Sequence, residues 1–493
     1  MLFKRFVALM VCEALAFLPA TSARAQQAAQ SSSPTAQATT LRQHLQKPYL
    51  DLFELSPMPS FSAAEIRAQR ESLKKGEDFC VKGFKAKSKD YQKQIDAARQ
   101  QLKKNTAKLS ESERTRAHCN IQNLDLLQSE AGVLAGQAIP TAYDNLIAKL
   151  DLIERWPAVR KQIENELASG SHVNRHWGDV QDIGFREIAA GQQDDIKDGQ
   201  KAVEEMKRLG LMPPQVEDRA IQDYVNSVAQ NVARHSDLKV PLHVEVLQSR
   251  EINAFALPGG YLFIERGLLE ATDDESELAG VIAHEIAHDA ARHGHKLMKR
   301  ATIAGIFFQA AQVAAIVLTG GVAGIGTYYA IQYGFYGLGL VLNLKLLGVS
   351  RDYELEADQL GVQYAWSAGY DPSGFIRFFD KMATREGYIN GVSWFRTHPP
   401  FYNRMEQSER EIMFLERKPS AVVVTSAFEQ MKKALAPIAA KAEKEDANAP
   451  SLKITRAEGC EPPKKLEYKP GQPIEQLCSA ASRTESPGAK PQP

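Results

Sequence analysis

Residues Glu277-Leu278-Ala279-Gly280-Val281-Ile282-Ala283-His284-Glu285-Ile286-Ala287-His288-Asp289 contain a His-Glu-x-x-His run. On a helix, residues four apart lie one turn above each other, so both imidazoles face one way with Glu285 beside them. That is the arrangement of a catalytic zinc site, with two ligands and a general base on one helix. The flanks predict the helix. Leu278, Val281, Ile282, Ile286 and Ala287 supply an apolar stripe, Asp273 and Asp274 suit the positive end of the dipole, and Thr272 with Glu275 reads as a capping box. The alternative, a surface helix with two unrelated histidines, leaves three polar side chains without a role in an apolar stretch.

A catalytic zinc takes three protein ligands and leaves a position to water. The best third donor lies in Ser350-Arg351-Asp352-Tyr353-Glu354-Leu355-Glu356-Ala357-Asp358, where Glu354 and Asp358 are again one helical turn apart. His293 and His295 compete for the place. They lie too near the end of the first ligand helix to close round an ion, and they are read as solvated.

The His-Glu-Ile-Ala-His helix, the Ser-Arg-x-x-Glu-x-Glu-Ala-Asp segment and the preceding Asn253-Ala254-Phe255-Ala256-Leu257-Pro258-Gly259-Gly260 together resemble the gluzincin metallopeptidases of the HtpX and CaaX prenyl protease family. The likeness is greatest to the soluble periplasmic branch typified by BepA, and it covers residues 215 to 410. It implies a zincin-like core with one Zn2+ per chain, held by His284, His288 and Glu354. It also implies Glu285 as general base and Asp358 as the acid behind the ligands. Asn253, Ala254 and Phe255 match the edge strand beside which a substrate chain is laid. Thr397-His398-Pro399-Pro400 resembles the family's late motif, whose histidine lies near the metal, and Arg404 follows where the family often has an arginine.

The chemistry follows from the residues. Zinc lowers the pKa of bound water from about 15.7 to about 7 and polarises the scissile carbonyl, while Glu285 takes the proton and passes it to the leaving amine. His398 or Arg404 is then available to steady the oxyanion. His398 has two other readings, a latch on zinc's fourth position in the resting enzyme and a purely local place before a Pro-Pro turn.

Around this centre the chain divides as follows. Residues 1–25 read as a signal peptide, with Lys4 and Arg5, an apolar core from Phe6 to Leu18 and the cleavage site Ala23-Arg24-Ala25. This predicts export to the periplasm, with a retained anchor as the alternative. Residues 26–40, rich in Gln, Ala, Ser and Thr, are a disordered leader. Residues 41–175 form a charged helical module, and 176–417 the zinc metallopeptidase domain. The remainder, 418–493, is a small C-terminal extension and flexible tail. The fold class is thus mainly α with a small β-sheet, α+β. Strands are expected at 242–247, 254–257 and 261–264, the last two turned by Pro258-Gly259-Gly260, and their exposed edge can take an extended peptide by β-augmentation. A short strand is expected at 421–425, and a helix at 428–442 that Pro437 kinks or breaks. Between Arg300 and Lys345 no residue is charged. This apolar insert, 301–348, is long enough to cross a membrane as a hairpin, and burial over the site or contact with a membrane surface are equally compatible.

The 60 basic and 60 acidic residues balance, and Lys and Glu are interspersed on the helical module, so a solvated face is expected and no nucleic-acid partner. The partners are protein or peptide substrates. Loss of Cys12 with the signal leaves Cys80, Cys119, Cys460 and Cys478, an even set suited to an oxidising compartment. Local pairing, Cys80 with Cys119 and Cys460 with Cys478, is expected. The leading function is a secreted zinc-dependent endopeptidase acting on unfolded or misassembled envelope proteins. A chaperone-like assembly factor on a latent peptidase fold and an integral-membrane peptidase are the alternatives.

Overall fold

The computed structural model describes residues 40–448 except 56, 106, 175–179, 209–211, 299–350 and 386–401, together with 476, 478 and 479. The expected signal peptide, all but the last residue of the leader, the apolar insert 301–348, His398 and Cys460 lie outside the described residues. Two short helices, α1 (Leu41–His44) and α2 (Tyr49–Phe53), precede α3 (Ala63–Asn105). This long helix opens on a capping box, with the Ser62 amide donating to Glu65 Oε2 at 2.8 Å and the Glu65 amide to Ser62 Oγ at 3.2 Å. Ile66, Leu73 and Cys80, spaced by seven, place its buried stripe on one side. A second capping box, Ser110 with Glu113, starts α4 (Glu111–Val133), which returns along α3 and passes through a π-helical turn, Leu134–Ala138, into α5 (Ile139–Ser169).

The register of this hairpin corrects the expected disulfides. Gln128 Nε2 donates to Gln92 Oε1 at 3.0 Å and Arg99 pairs with Asp125 at 3.1 Å. Cys119 therefore lies beyond Arg99 toward the far end of α3. At about 1.5 Å per residue it is set roughly 30 Å along the hairpin from Cys80. Cys80 is bonded instead to Cys478, 398 residues away in sequence, with a Cα–Cα distance of 4.9 Å. Both expected pairs, Cys80–Cys119 and Cys460–Cys478, are thereby excluded; Cys119 is also disulfide-bonded.

The N-terminal helices pack directly on the region that carries the His-Glu-x-x-His run. The Tyr49 amide donates to Asp380 Oδ2 at 2.9 Å, Tyr402 Oη donates to the Thr141 carbonyl at 3.1 Å, and Arg155 pairs with Glu406 at 2.8 Å. One continuous hydrophobic core runs from Leu41 through Trp156 to Leu435.

After α6 (Gln192–Arg208) and α7 (Arg219–Arg234) come three strands, β1 (His243–Leu247), β2 (Ala254–Leu257) and β3 (Tyr261–Glu265), in the spatial order β1-β3-β2. The pair β1 and β3 is parallel, and β2 and β3 are antiparallel with Phe255 opposite Phe263. Gln215 bridges to Leu247 on the outer side of β1, so among the described residues β2 is the open edge. The sheet leads through α8 (Arg266–Ala271) into α9 (Glu275–Ala290) and α10 (His293–Met298). Then follow α11 (Arg351–Ser367), α12 (Gly374–Arg385), α13 (Asn403–Phe414) and α14 (Ser426–Asn448). Helices with one small sheet make the α+β class that the sequence predicts.

Two local expectations are corrected. Residues 421–425 make a single bridge, Tyr370 with Val422, and no strand. Pro437 lies inside α14 without breaking it. Phe428, Met431 and Leu435 bury the turns before it, and that packing outweighs one lost backbone bond.

Candidate active site

The run His284 to His288 lies on α9, whose residues are buried on every side. Asp274 caps it, accepting from the Glu277 amide at 2.9 Å, while Glu277 Oε2 accepts from the Asp273 amide at 2.8 Å. The cap therefore sits two residues beyond the expected Thr272, whose hydroxyl donates to the Leu269 carbonyl at 3.2 Å. Small residues let neighbours close on α9. A Cβ at Gly361 of α11 would lie 3.0 Å from the His284 Cα, and one at Gly280 would lie 2.8 Å from the Phe375 amide nitrogen. Glycine at both positions brings α11 and α12 into backbone contact with α9.

This approach carries Glu354, on the first turn of α11, to the two histidines. His284 Nε2 and His288 Nε2 are 3.0 Å apart, and they lie 3.7 Å and 3.5 Å from the Glu354 carboxylate oxygens. A tetrahedral zinc with N and O ligands at 2.0–2.2 Å requires ligand atoms about 3.3 Å apart. The three separations bracket that edge, and nitrogen plus carboxylate donors are a zinc-type set, so the residues fit the ion. A second group, Asp195, Asp198 and His295, also has converging donors. There Asp195 already receives two bonds from Arg292, at 2.6 and 2.7 Å, and lies 2.7 Å from His295 Nδ1, so a cation has been supplied.

Further polar groups lie behind these three side chains. Asp358 Oδ1 lies 2.9 Å from His284 Nδ1, and the Phe375 ring stacks on His284 with centroids 5.3 Å apart. Arg404, fully buried, donates to Asp358 through Nε at 2.7 Å and Nη2 at 2.6 Å, and its Nη1 lies 2.8 Å from Glu354 Oε2. The expectation that Arg404 steadies an oxyanion is corrected, because two carboxylates of α11 take up its guanidinium.

His293 is also corrected. It is buried rather than solvated, with Nδ1 2.9 Å from His288 Nδ1 and Nε2 3.1 Å from Glu356 Oε2. The turn that returns it to His288 is made by Arg292, which adopts φ 58° and is held by Asp195 and by the Ala190 carbonyl at 2.6 Å. A left-handed non-glycine residue is costly by about 1–2 kcal/mol and persists when its surroundings over-determine it.

The sheet edge meets the centre through Glu285, whose Oε2 accepts from the Ala256 amide of β2 at 3.1 Å. Asn253, Ala254 and Phe255 are buried as whole residues, and the half-exposed part of β2 is Ala256 and Leu257. Asp289, missed by the sequence reading, joins α9 to the β2–β3 turn, accepting from the Gly259 amide at 3.1 Å and the Gly260 amide at 2.7 Å. Burial pushes its carboxyl up to about 7 against the opposing pull of those two amides. No helix among the described residues is long and apolar enough to cross a membrane.

Residues 217–412 match the sequence profile of Peptidase family M48. The chain is similar to the beta-barrel assembly-enhancing protease of Yersinia pestis, 27% identical over 235 residues, which is 46% of each protein. It is 28% identical over 190 residues to the Escherichia coli (strain K12) protein of the same name, 37% of each. The mitochondrial metalloendopeptidase OMA1 of Schizosaccharomyces pombe is 32% identical over 191 residues, 38% of this chain and 51% of that protein. The chain thus spans at most 51% of the length of these relatives.

Proposed function

We propose, from the match of residues 217–412 to the sequence profile of Peptidase family M48, that the chain is a zinc-dependent endopeptidase cleaving unfolded or misassembled envelope proteins in the periplasm. The convergence of His284, His288 and Glu354, with ligand atoms within 4.8 Å of one another, carries this reading. One zinc per chain is held there and supplies, when bound, a Lewis acid that acidifies water and polarises the scissile carbonyl. An extended substrate lies along the open edge of β2 at Asn253, Ala254 and Phe255, where main-chain bonds give affinity with little sequence preference. Glu285, held by the Ala256 amide, takes a proton from the attacking water. As the C–N bond breaks, the Glu285 carboxyl delivers that proton to the departing nitrogen.

Asp358 orients His284, and Arg404 holds Asp358 and Glu354 in place. The proposal keeps His398, which lies outside the described residues, as latch or as oxyanion partner. The placement near HtpX and the CaaX prenyl proteases, the signal peptide at 1–25, the helical module at 41–175 and the membrane contact through 301–348 belong to the same proposal. A link to beta-barrel assembly is supported by the names of the Yersinia and Escherichia relatives.

Metal analysis and casein hydrolysis of the purified protein, Glu285→Gln and Glu354→Ala test it. The native protein is expected to hold one zinc and cleave casein. Glu285→Gln should keep the metal and lose cleavage, and Glu354→Ala should lose both. Undiminished hydrolysis by Glu285→Gln, or a native protein that takes up no zinc, overturns the proposal.

A further inference from the structure

His284 and His288 present their Nε2 atoms to the same point, so each must carry its proton on Nδ1 and needs a partner there to hold that tautomer. For His284 the nearest group is a carboxylate, with Asp358 Oδ1 at 2.9 Å. For His288 the partner at 2.9 Å is another imidazole, the Nδ1 of His293. An imidazole that accepts at Nδ1 carries its own proton on Nε2, and His293 Nε2 faces Glu356 Oε2 at 3.1 Å. The only neutral arrangement consistent with both contacts runs from His288 Nδ1–H to His293 Nδ1, and from His293 Nε2–H to Glu356.

The surroundings hold this chain rigidly. His293 is buried and stacks on Tyr353 with centroids 4.5 Å apart and an interplanar angle of 13°. The Lys296 ammonium lies 5.3 Å from the centroid of the same Tyr353 ring. Tyr353, Glu354 and Glu356 share the first turns of α11, so the helix that brings a carboxylate to the front of the centre also brings one to its back.

We propose that His293 and Glu356 are positioning residues that fix the tautomer and ring orientation of His288, transmitting to it through an imidazole the carboxylate support that His284 receives directly. The inference rests on the zinc reading above. Partners of this kind tune metal affinity by roughly 10- to 100-fold.

The test is zinc affinity of the metal-free protein, measured by competition with a chromogenic chelator, with the visible spectrum of the Co2+ form as a second readout. His293→Phe keeps the stack on Tyr353 and removes both nitrogens. It is expected to weaken zinc binding roughly 10- to 100-fold and to change the Co2+ spectrum. His293→Asn places an amide oxygen near the former Nδ1 and should recover part of the loss. Glu356→Gln, more exposed and less able to disturb folding, should weaken binding in the same direction by a smaller factor, and it serves if His293→Phe does not fold. Native zinc affinity and an unchanged Co2+ spectrum in Glu356→Gln and in any folded His293 variant overturn the inference while leaving the zinc reading intact. Failure of the native protein to bind zinc removes both.

Discussion

Arg404→Met is the most demanding perturbation of this structure. The guanidinium is fully buried between Asp358 and Glu354, which are themselves about 1% exposed, with contacts of 2.6, 2.7 and 2.8 Å. Methionine preserves much of the volume and apolar stem, so the change isolates the charge. Removing one partner of a buried ion pair leaves an uncompensated charge and costs about 3–5 kcal/mol. Here two carboxylates lose the same cation, so the upper part of that range is expected in the metal-free protein. The assay is urea unfolding in EDTA, with the midpoint compared at unchanged m. Repeating it with saturating zinc should narrow the gap, because the ion replaces part of the lost positive charge, and each tenfold of regained zinc affinity is about 1.4 kcal/mol. Arg404→Lys should fall between the two, since lysine restores charge without the two-pronged geometry. A midpoint for Arg404→Met equal to that of the native protein in EDTA would refute the reasoning.

Asp289→Asn keeps one acceptor for the Gly259–Gly260 turn and turns an amide N–H toward the other backbone N–H. With about 1–2 kcal/mol lost in positioning β2, KM for extended peptides should rise roughly 5- to 30-fold with kcat little changed; an unchanged KM counts against the role. Burial, followed by the charge of Glu54, pushes the Glu409 carboxyl from its ordinary value of 4.5 to about 8. The folded state therefore binds this proton more tightly than the unfolded one, and the group's contribution to stability falls as pH rises from about 4.5 to about 8. Glu409→Gln should gain on the native protein across that window, by at most about 1.4 kcal/mol per pH unit. Thermal melts from pH 5 to 8 with a constant difference would dispose of that assignment.

The proposed metal ligands were legible because their spacing encodes their geometry. His284 and His288 stand one turn apart on any helix, and Glu354 sits on a segment whose residues match a known pattern. The sheet was legible from alternation and from Pro258-Gly259-Gly260. His293 was not, because its place depends on the left-handed turn at Arg292, which is imposed by Asp195 from a helix about 100 residues earlier. Arg404 was recognised, but its role depends on which groups surround its guanidinium, and sequence spacing does not determine that. The disulfides misled because nearness along the chain stood in for nearness in space, whereas the antiparallel run of α3 and α4 carries Cys119 away from Cys80.

The Cys80–Cys478 bond closes a covalent ring that takes in every element from α4 to α14. A polypeptide emerges from the ribosome amino end first, so Cys80 cannot take this partner until residue 478 has been made. The link therefore plays no part in early assembly and acts afterwards as a clasp. A product ending before residue 478 lacks that partner for Cys80, so thiol labelling of denatured protein distinguishes it from one that includes Cys478.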